Sequence, residues 1–113
     1  MAKNFVQEGR RLFLTAGSGV KSGDPVAVGQ IAGVAVADVD SNNQTTVDTE
    51  GVYKLSVKGI DGSGNSAVAI GDAIYFVSGD TPKLSKKATG VLFGYSLGTV
   101  DSGATAIIPV KLK

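Results

Sequence analysis

The chemistry open to this sequence is restricted, because it contains no His, no Cys and no Trp. Without His or Cys, neither a Ser-His-Asp triad nor a Cys-His nucleophile can form, and zinc or haem ligation through these side chains is excluded. The acids Asp24, Asp48, Glu50 and Asp72 could pair for acid–base work, but nothing in their spacing requires it. Turn and strand-edge positions are available to all four, so we expect no catalytic residues and no enzymatic activity.

Residues 16–22 read AGSGVKS and resemble a phosphate-binding loop at first sight. Such a loop needs Gly-Lys-Ser/Thr at its end, so that backbone amides cradle the phosphate and the lysine reaches its outer oxygens. Here Val20 separates Gly19 from Lys21, the four-residue spacer is missing, and no helical pattern follows. The segment is better interpreted as a flexible hairpin loop, and no cofactor or small-molecule substrate is expected.

Residues 38–43 (DVDSNN) begin like a calcium-binding loop, with oxygen ligands at its first, third and fifth positions. Asn43 could adopt the left-handed conformation that such loops usually give to glycine. The closing carboxylate should fall on Thr49, but Glu50 comes one place late and the flanking segments alternate as strands do. We predict a solvated β-hairpin tip and no metal site, with an ion at this tip as the alternative.

Charge and hydropathy argue against nucleic-acid and membrane partners. The net charge is +1, and the basic doublets Arg10-Arg11 and Lys86-Lys87 are too short to form a nucleic-acid groove. The apolar runs are far shorter than the ~20 residues that span a bilayer. The first eight residues lack the apolar core of a signal peptide, so we do not expect export.

The pattern of turns and short apolar runs predicts the fold class. Gly, Asn, Asp and Ser clusters separate the runs at intervals typical of an all-β sandwich or barrel. We therefore predict a small Gly- and Val-rich β-barrel or sandwich with little or no helix. The 113 residues suit a single β domain, 1–113, in which residues 1–8 form a flexible N-terminal arm.

Alternation within the runs predicts which side chains face the core. Four sets should each share one strand face: Arg10, Leu12 and Leu14; Tyr53, Leu55 and Val57; Val91, Phe93, Tyr95 and Leu97; and Ile108, Val110 and Leu112. Pro109 cannot donate a ladder hydrogen bond, so its strand is predicted to lie at a sheet edge or bulge.

An internal echo suggests that one turn-and-strand unit is used twice. Residues 20–26 (VKSGDPV) and 68–74 (VAIGDAI) both read apolar-x-x-Gly-Asp-x-apolar. In each, Gly would take an unusual φ and Asp would bond back to nearby amides. The following strands would start at Gly33 and at Gly90, and residues 76–89 would add an extra hairpin to the second copy. Two such units could close a small barrel.

Motifs along the whole chain resemble those of a family of small bacteriophage and prophage proteins. They are MAKNFVQEG at residues 1–9, SGDPVAVG at 22–29, GVAV at 33–36, EGVYKL at 50–55, GDAIY at 71–75, GVLFGY at 90–95 and VKL at 110–112. Members of this former domain of unknown function often carry the automatic label of a RecA/RadA-type phage recombinase. More recently the family is described as capsid decoration, or cement, proteins.

The sequence itself discriminates between the two descriptions. A RecA-like motor needs a complete phosphate loop and a helix-covered parallel sheet in a much larger domain. Neither feature is present, so the recombinase label has no physical support. The resemblance instead implies a structural virion protein that binds the outside of a phage head and stabilises it. The alternatives are a tail or baseplate component, or a DNA recombination accessory protein.

The resemblance also implies partners and a location. The partner would be the major capsid protein, the chain would form a homo-oligomer with a trimer favoured, and it would reach the capsid exterior after synthesis in the bacterial host cytoplasm. Candidate capsid contacts are the arm residues Lys3, Asn4 and Phe5, together with Arg10 and Arg11. An acidic or apolar residue is more usual in the family at the arginine pair. Gly23, Asp24, Gly71 and Asp72 are interpreted as fold determinants.

Overall fold

The computed structural model describes residues 3–4, 7 and 9–113, and this part of the chain is built from β-strands and turns with no helix. It accordingly offers no helix of the length and apolarity needed to cross a membrane. The strands are β1 (Arg11–Thr15), β2 (Pro25–Val28), β3 (Ile31–Ala35), β4 (Gln44–Asp48), β5 (Val52–Lys58), β6 (Ile60–Asp61), β7 (Gly64–Asn65), β8 (Ala73–Phe76), β9 (Leu84–Ser85), β10 (Val91–Ser96) and β11 (Thr105–Leu112). The predicted all-β class is confirmed.

The strands form two larger sheets. The first is an open half-barrel with the order β1-β4-β3-β2, and the second is a closed barrel with the order β10-β11-β5-β9-β8. The short hairpin β6-β7 projects from the connection between β5 and β8. The pairs are antiparallel except for β5 and β9, which run parallel.

Four strands of each sheet follow the same plan. In the first unit (β1 to β4) the first strand pairs with the fourth, the fourth with the third, and the third with the second. The second unit (β5, β8, β10 and β11) repeats this order strand for strand. The internal echo in the sequence therefore reflects a repeated four-strand unit.

The two Gly-Asp turns make equivalent hydrogen bonds. Gly23 and Gly71 have φ angles of 88° and 93°, a region that favours glycine. The Asp24 carboxylate accepts a bond from the amide of Lys21 at 3.0 Å, and the Asp72 carboxylate accepts one from Ala69 at 2.8 Å. Each aspartate thus closes its own turn, as the sequence predicts.

The strands that follow these turns match each other at different glycines from those that the sequence predicts. The residue equivalent to Gly33 is Gly94, because Gly33 pairs with Val26 and Gly94 pairs with the matching Ile74. A Cβ on Gly33 would collide with the carbonyl oxygen of Asp48, and one on Gly94 with that of Lys111. Close approach of two backbones, rather than the start of a strand, is what requires glycine at both positions.

The insertion predicted in the second unit, residues 76–89, contains the strand that closes the barrel. Within it, β9 pairs antiparallel with β8 and parallel with β5, so it bridges the two strands that would otherwise be sheet edges. In the first unit a tight turn at Gly29 and Gln30 joins β2 directly to β3. The first sheet has no such bridging strand among the described residues and stays open.

Two predictions are wrong: the shared face of Phe93 and Tyr95, and the edge position of the strand that holds Pro109. The register between β8 and β10 shifts between Leu92 and Gly94, so the extra residue Phe93 turns inward while Tyr95 turns outward. Pro109 lies in β11, which is internal, between β10 and β5. Its carbonyl still accepts a bond from the Leu97 amide, and β10 ends at Ser96, so the missing donor falls where the ladder is ending.

The predicted faces of β5 and β11 are confirmed, whereas Arg10, which was grouped with Leu12 and Leu14, precedes β1 and is exposed. The barrel holds the larger core. Leu12 and Leu14 lie on the less exposed face of β1. The barrel core consists of Leu55, Val57, Val68, Ile74, Leu84, Phe93, Val100, Ile108, Val110 and Leu112, with Val34 from the first sheet. A smaller cluster of Val26, Ala35 and Val47 fills the half-barrel. Val34 joins the two sheets because it points away from the half-barrel cluster and into the barrel core.

We predict that Gly94→Ala destabilises the fold by about 1–3 kcal/mol, since the added methyl group overlaps a backbone oxygen that cannot rotate away. Gly62→Ala is the matched control, because a Cβ there meets nothing within 4 Å. Urea unfolding of both variants measures the difference. Equal stabilities would show that the close approach of β10 and β11 is not a constraint.

Candidate functional site

Arg10 lies beside a buried carboxylate at the junction of the two sheets. Asp48 ends β4 with a side chain 2% exposed, and its Oδ1 lies 3.4 Å from Nε of Arg10. The hydroxyl of Tyr53 donates to Oδ2 at 2.5 Å, and the amide of Glu50 donates to Oδ1 at 3.3 Å. Asp48 belongs to the first sheet and Tyr53 to the barrel strand β5, so this cluster ties the two sheets together.

The hydrogen bonds determine the charge state of Asp48. Burial alone would raise the pKa of this carboxyl, but the bonds from Tyr53, Glu50 and Arg10 outweigh burial and hold the pKa below its usual value. Conversely, the hydrogen bond to Asp48, with burial, raises the pKa of Tyr53. Asp48 therefore stays ionised and Tyr53 protonated at neutral pH, which suits a structural contact.

The second Gly-Asp turn also uses one lysine of the Lys86-Lys87 doublet. The amide of Ala69 lowers the pKa of Asp72, against burial, and Nζ of Lys86 lies 3.4 Å from this carboxylate. Lys87 lies 3.0 Å from Asp80. Both lysines of this doublet are thus engaged within the chain and do not form a basic patch for a partner.

The 38–43 loop uses its carboxylates for contacts within the chain. Oδ1 of Asp40 accepts bonds from the amides of Asn42 and Gln44, at 2.8 and 3.0 Å. Asp38 accepts a bond from the amide of Ser22 at 2.8 Å. Asn43 has the left-handed φ of 59° that the sequence suggested. No three His, Cys, Asp or Glu side chains are grouped for a metal ion among the residues that the structure describes.

The 16–22 loop borders a surface cavity of about 360 Å³. Its lining residues include Asp24, Asp80 and Lys83. Two carboxylates repel a phosphate group, and the loop leads into β2 rather than into a helix whose N-terminus could bind an anion. The arrangement favours the hairpin-loop interpretation.

The structure brings together only part of the predicted contact set. Arg10 and Arg11 are both exposed beside Asp48, since Arg10 contacts its carboxylate and Arg11 is its register partner across β1 and β4. Lys3 and Asn4 lie in an exposed turn. Phe5 falls outside the described residues, and most of the arm 1–8 does as well.

Sequence reasoning missed two features. It assigned Tyr53 to the core face but did not see that its hydroxyl reaches Asp48. It also did not recognise that Lys54, Lys58 and Lys111 project from one outer face of the barrel, because the pairing of β5 with β11 joins distant segments. The outward alternation of lysine in both strands was the available signal.

We predict that Tyr53→Phe lowers the free energy of unfolding by about 1–3 kcal/mol at pH 7, because a buried carboxylate loses a donor. A group with a depressed folded pKa stabilises the fold above its unfolded pKa, and this contribution is lost as pH falls through the folded value. The difference between wild type and variant should therefore shrink below about pH 4. Urea unfolding of the wild type and the variant between about pH 3 and pH 7 measures this difference. Tyr95→Phe, on the exposed outer face, is the control. A difference in unfolding free energy that does not change with pH would contradict the assignment of the bond to Asp48.

Comparison with known proteins identifies a family for the chain. No curated protein and no solved structure matches the chain. A family model described as phage cement protein matches residues 6–112, which is nearly the whole chain. The chain therefore belongs to the phage cement protein family, a family of structural, virion-associated proteins.

Proposed function

We propose that this protein decorates the outside of a phage head, binds the major capsid protein there and stabilises the assembled shell without catalysing a reaction. The observation that carries this proposal is the family match over residues 6–112. The supporting physical argument is that Asp24, Asp48 and Asp72, with the Lys86-Lys87 doublet, are engaged in turns, ion pairs and the sheet junction. A rigid β structure of this kind suits a bridging role between neighbouring subunits.

The stabilisation we propose is a mass-action effect. A ligand that binds the assembled shell, but not its dissociated subunits, lowers the free energy of the assembled state by RT ln(1 + L/Kd) for each site, where L is its free concentration. A homotrimer that engages three neighbouring sites gains avidity without new contacts. Modest contacts per copy are then sufficient to raise the resistance of the head to internal DNA pressure.

We further propose that the N-terminal arm contributes to this binding, through Lys3, Asn4 and Phe5 with Arg10 and Arg11 beside it. Lys3 and Asn4 are exposed, and Arg11 projects from the edge strand β1. Contacts made by the arm would extend the contact area beyond that of the strands.

The decoration role predicts the copy number of the protein in DNA-filled particles of the phage or prophage that encodes it. Quantitative protein composition should give about one copy per capsid subunit or a simple fraction of it, as avidity at repeated shell sites requires. A handful of copies would point to a tail or baseplate role. Absence from particles would overturn the virion proposal and favour a DNA recombination accessory protein.

The second expected outcome concerns the arm. The triple variant Lys3→Ala, Asn4→Ala, Phe5→Ala should sediment less with heads that lack the protein, while its unfolding curve stays that of the wild type. Ser41→Ala with Asn42→Ala, in the exposed 38–43 loop, is the control for surface substitution. Equal binding by the triple variant and the wild type would remove the arm from the contact.

A further inference from the structure

One outer surface of the barrel combines lysines with exposed apolar side chains. It consists of the outward residues of β5, β11 and β10, and we call it the basic face, defined by Lys54, Lys58, Lys111, Val52, Ile107 and Tyr95. The register places Lys111 between Val52 on one side and Tyr95 on the other. Alternate residues of the same strands, such as Leu55 and Val110, point into the core. The face is therefore fixed by a well-packed barrel.

The lysines of the basic face lie on strands that carry no acidic residue. β5, β10 and β11 contain no Asp or Glu. None of Lys54, Lys58 and Lys111 takes part in an ion pair with any residue that the structure describes. Lys54 pairs with Pro109, so it is a diagonal neighbour of Lys111, at about 7–8 Å. Lysines that form no ion pair within the chain attract an acidic partner.

The apolar residues of the basic face lie among these lysines. Ile107 is 70% exposed, the largest exposed fraction among the exposed large apolar side chains, and it pairs with Ser56 in the middle of the β5-β11 ribbon. Val52 and Tyr95 are also exposed and flank Lys111. Leu97, just beyond the end of β10, extends this apolar surface. Apolar and aromatic groups within a charged rim are typical of protein interfaces.

In the first unit, two residues at positions equivalent to those of the basic face are covered by the barrel. Val34 occupies the place of Tyr95, and Asp48 the place of Lys111, because the register of β3 with β4 matches that of β10 with β11. Both first-unit residues are buried at the junction with the barrel. This part of the outer surface, on the third and fourth strands of the repeated unit, is thus an internal contact in one copy and is exposed in the other. Arg11 and Phe13, which match Val52 and Lys54 in register, are exposed in the first unit as well.

We propose that the basic face binds an acidic, partly apolar patch on the outer surface of the assembled capsid shell. This inference rests on the proposed decoration function and adds the surface that makes the contact. A protein surface suits the apolar residues at the middle of the face. A nucleic acid would suit a groove with more basic residues, and the net charge of the whole chain is only +1.

The test uses heads that lack this protein, purified from a deletion mutant of the encoding phage, and the full-length chain. Lys54→Gln with Lys111→Gln removes two positive charges from the basic face. Lys21→Glu changes the net charge by the same amount at a side chain 70% exposed and outside this face. Ile107→Ser removes the apolar centre and, at an exposed position, should leave the fold intact.

Co-sedimentation with the heads at low and high salt should separate the charged and apolar contributions. We expect the double glutamine variant to bind about tenfold more weakly at low salt, with a smaller salt dependence than the wild type. Ile107→Ser should weaken binding with an unchanged salt dependence, because the lost contact is apolar. Lys21→Glu should bind like the wild type.

The outcomes distinguish this inference from the function on which it rests. If the wild type does not bind heads, the decoration function itself fails. If the wild type binds and all variants bind equally, decoration survives and the basic face is not the contact. A shift of the double variant to a smaller species in sedimentation velocity would make the face a contact between copies instead. If the wild type binds duplex DNA and the double variant does not, the basic face would be a nucleic-acid surface. Either result would overturn the inference.

Discussion

The structure depends on one buried carboxylate. Asp48 is almost fully removed from solvent at the place where the half-barrel meets the closed barrel. An ionised carboxylate in such a place is unfavourable unless several donors satisfy it. Tyr53 supplies a donor from the barrel, while Glu50 and Arg10 supply donors from the segments around the first sheet. Because the donors come from both sides, the carboxylate fixes the position of one sheet on the other.

The repeat explains why this carboxylate occurs once. The two units share strand order, Gly-Asp turns and glycines at the closest backbone approach. They differ in the connection after their second strand, which is a tight turn in the first unit and carries β9 in the second. Closure by β9 gives the second unit the larger core. The first unit packs its outer surface on the barrel, which leaves Lys111 exposed where Asp48 is buried.

Local patterns in the sequence predicted the features that depend on local rules. Alternation identified the inward residues of β5 and β11, and the Gly-Asp echo identified the repeat. The inward turn of Phe93 was not predictable in this way, because a bulge is defined against the partner strand β8. The bond between Tyr53 and Asp48 also depends on how the two sheets pack. Of the candidate contacts, Arg10 and Arg11 were expected from the family resemblance and stay a prediction, whereas the basic face requires the register of β5 with β11.

Rigidity and weak individual contacts work together in the proposed decoration role. A face built on paired strands loses little conformational freedom when it binds, so less of its interaction free energy is spent on ordering. Lysines at its edges attract an acidic surface and orient the approach, while Ile107 supplies apolar burial once contact is made. The contacts proposed for the N-terminal arm would add to those of the face. Many copies on repeated sites then convert modest affinities into high occupancy, which is the condition under which a bound protein stabilises an assembled shell.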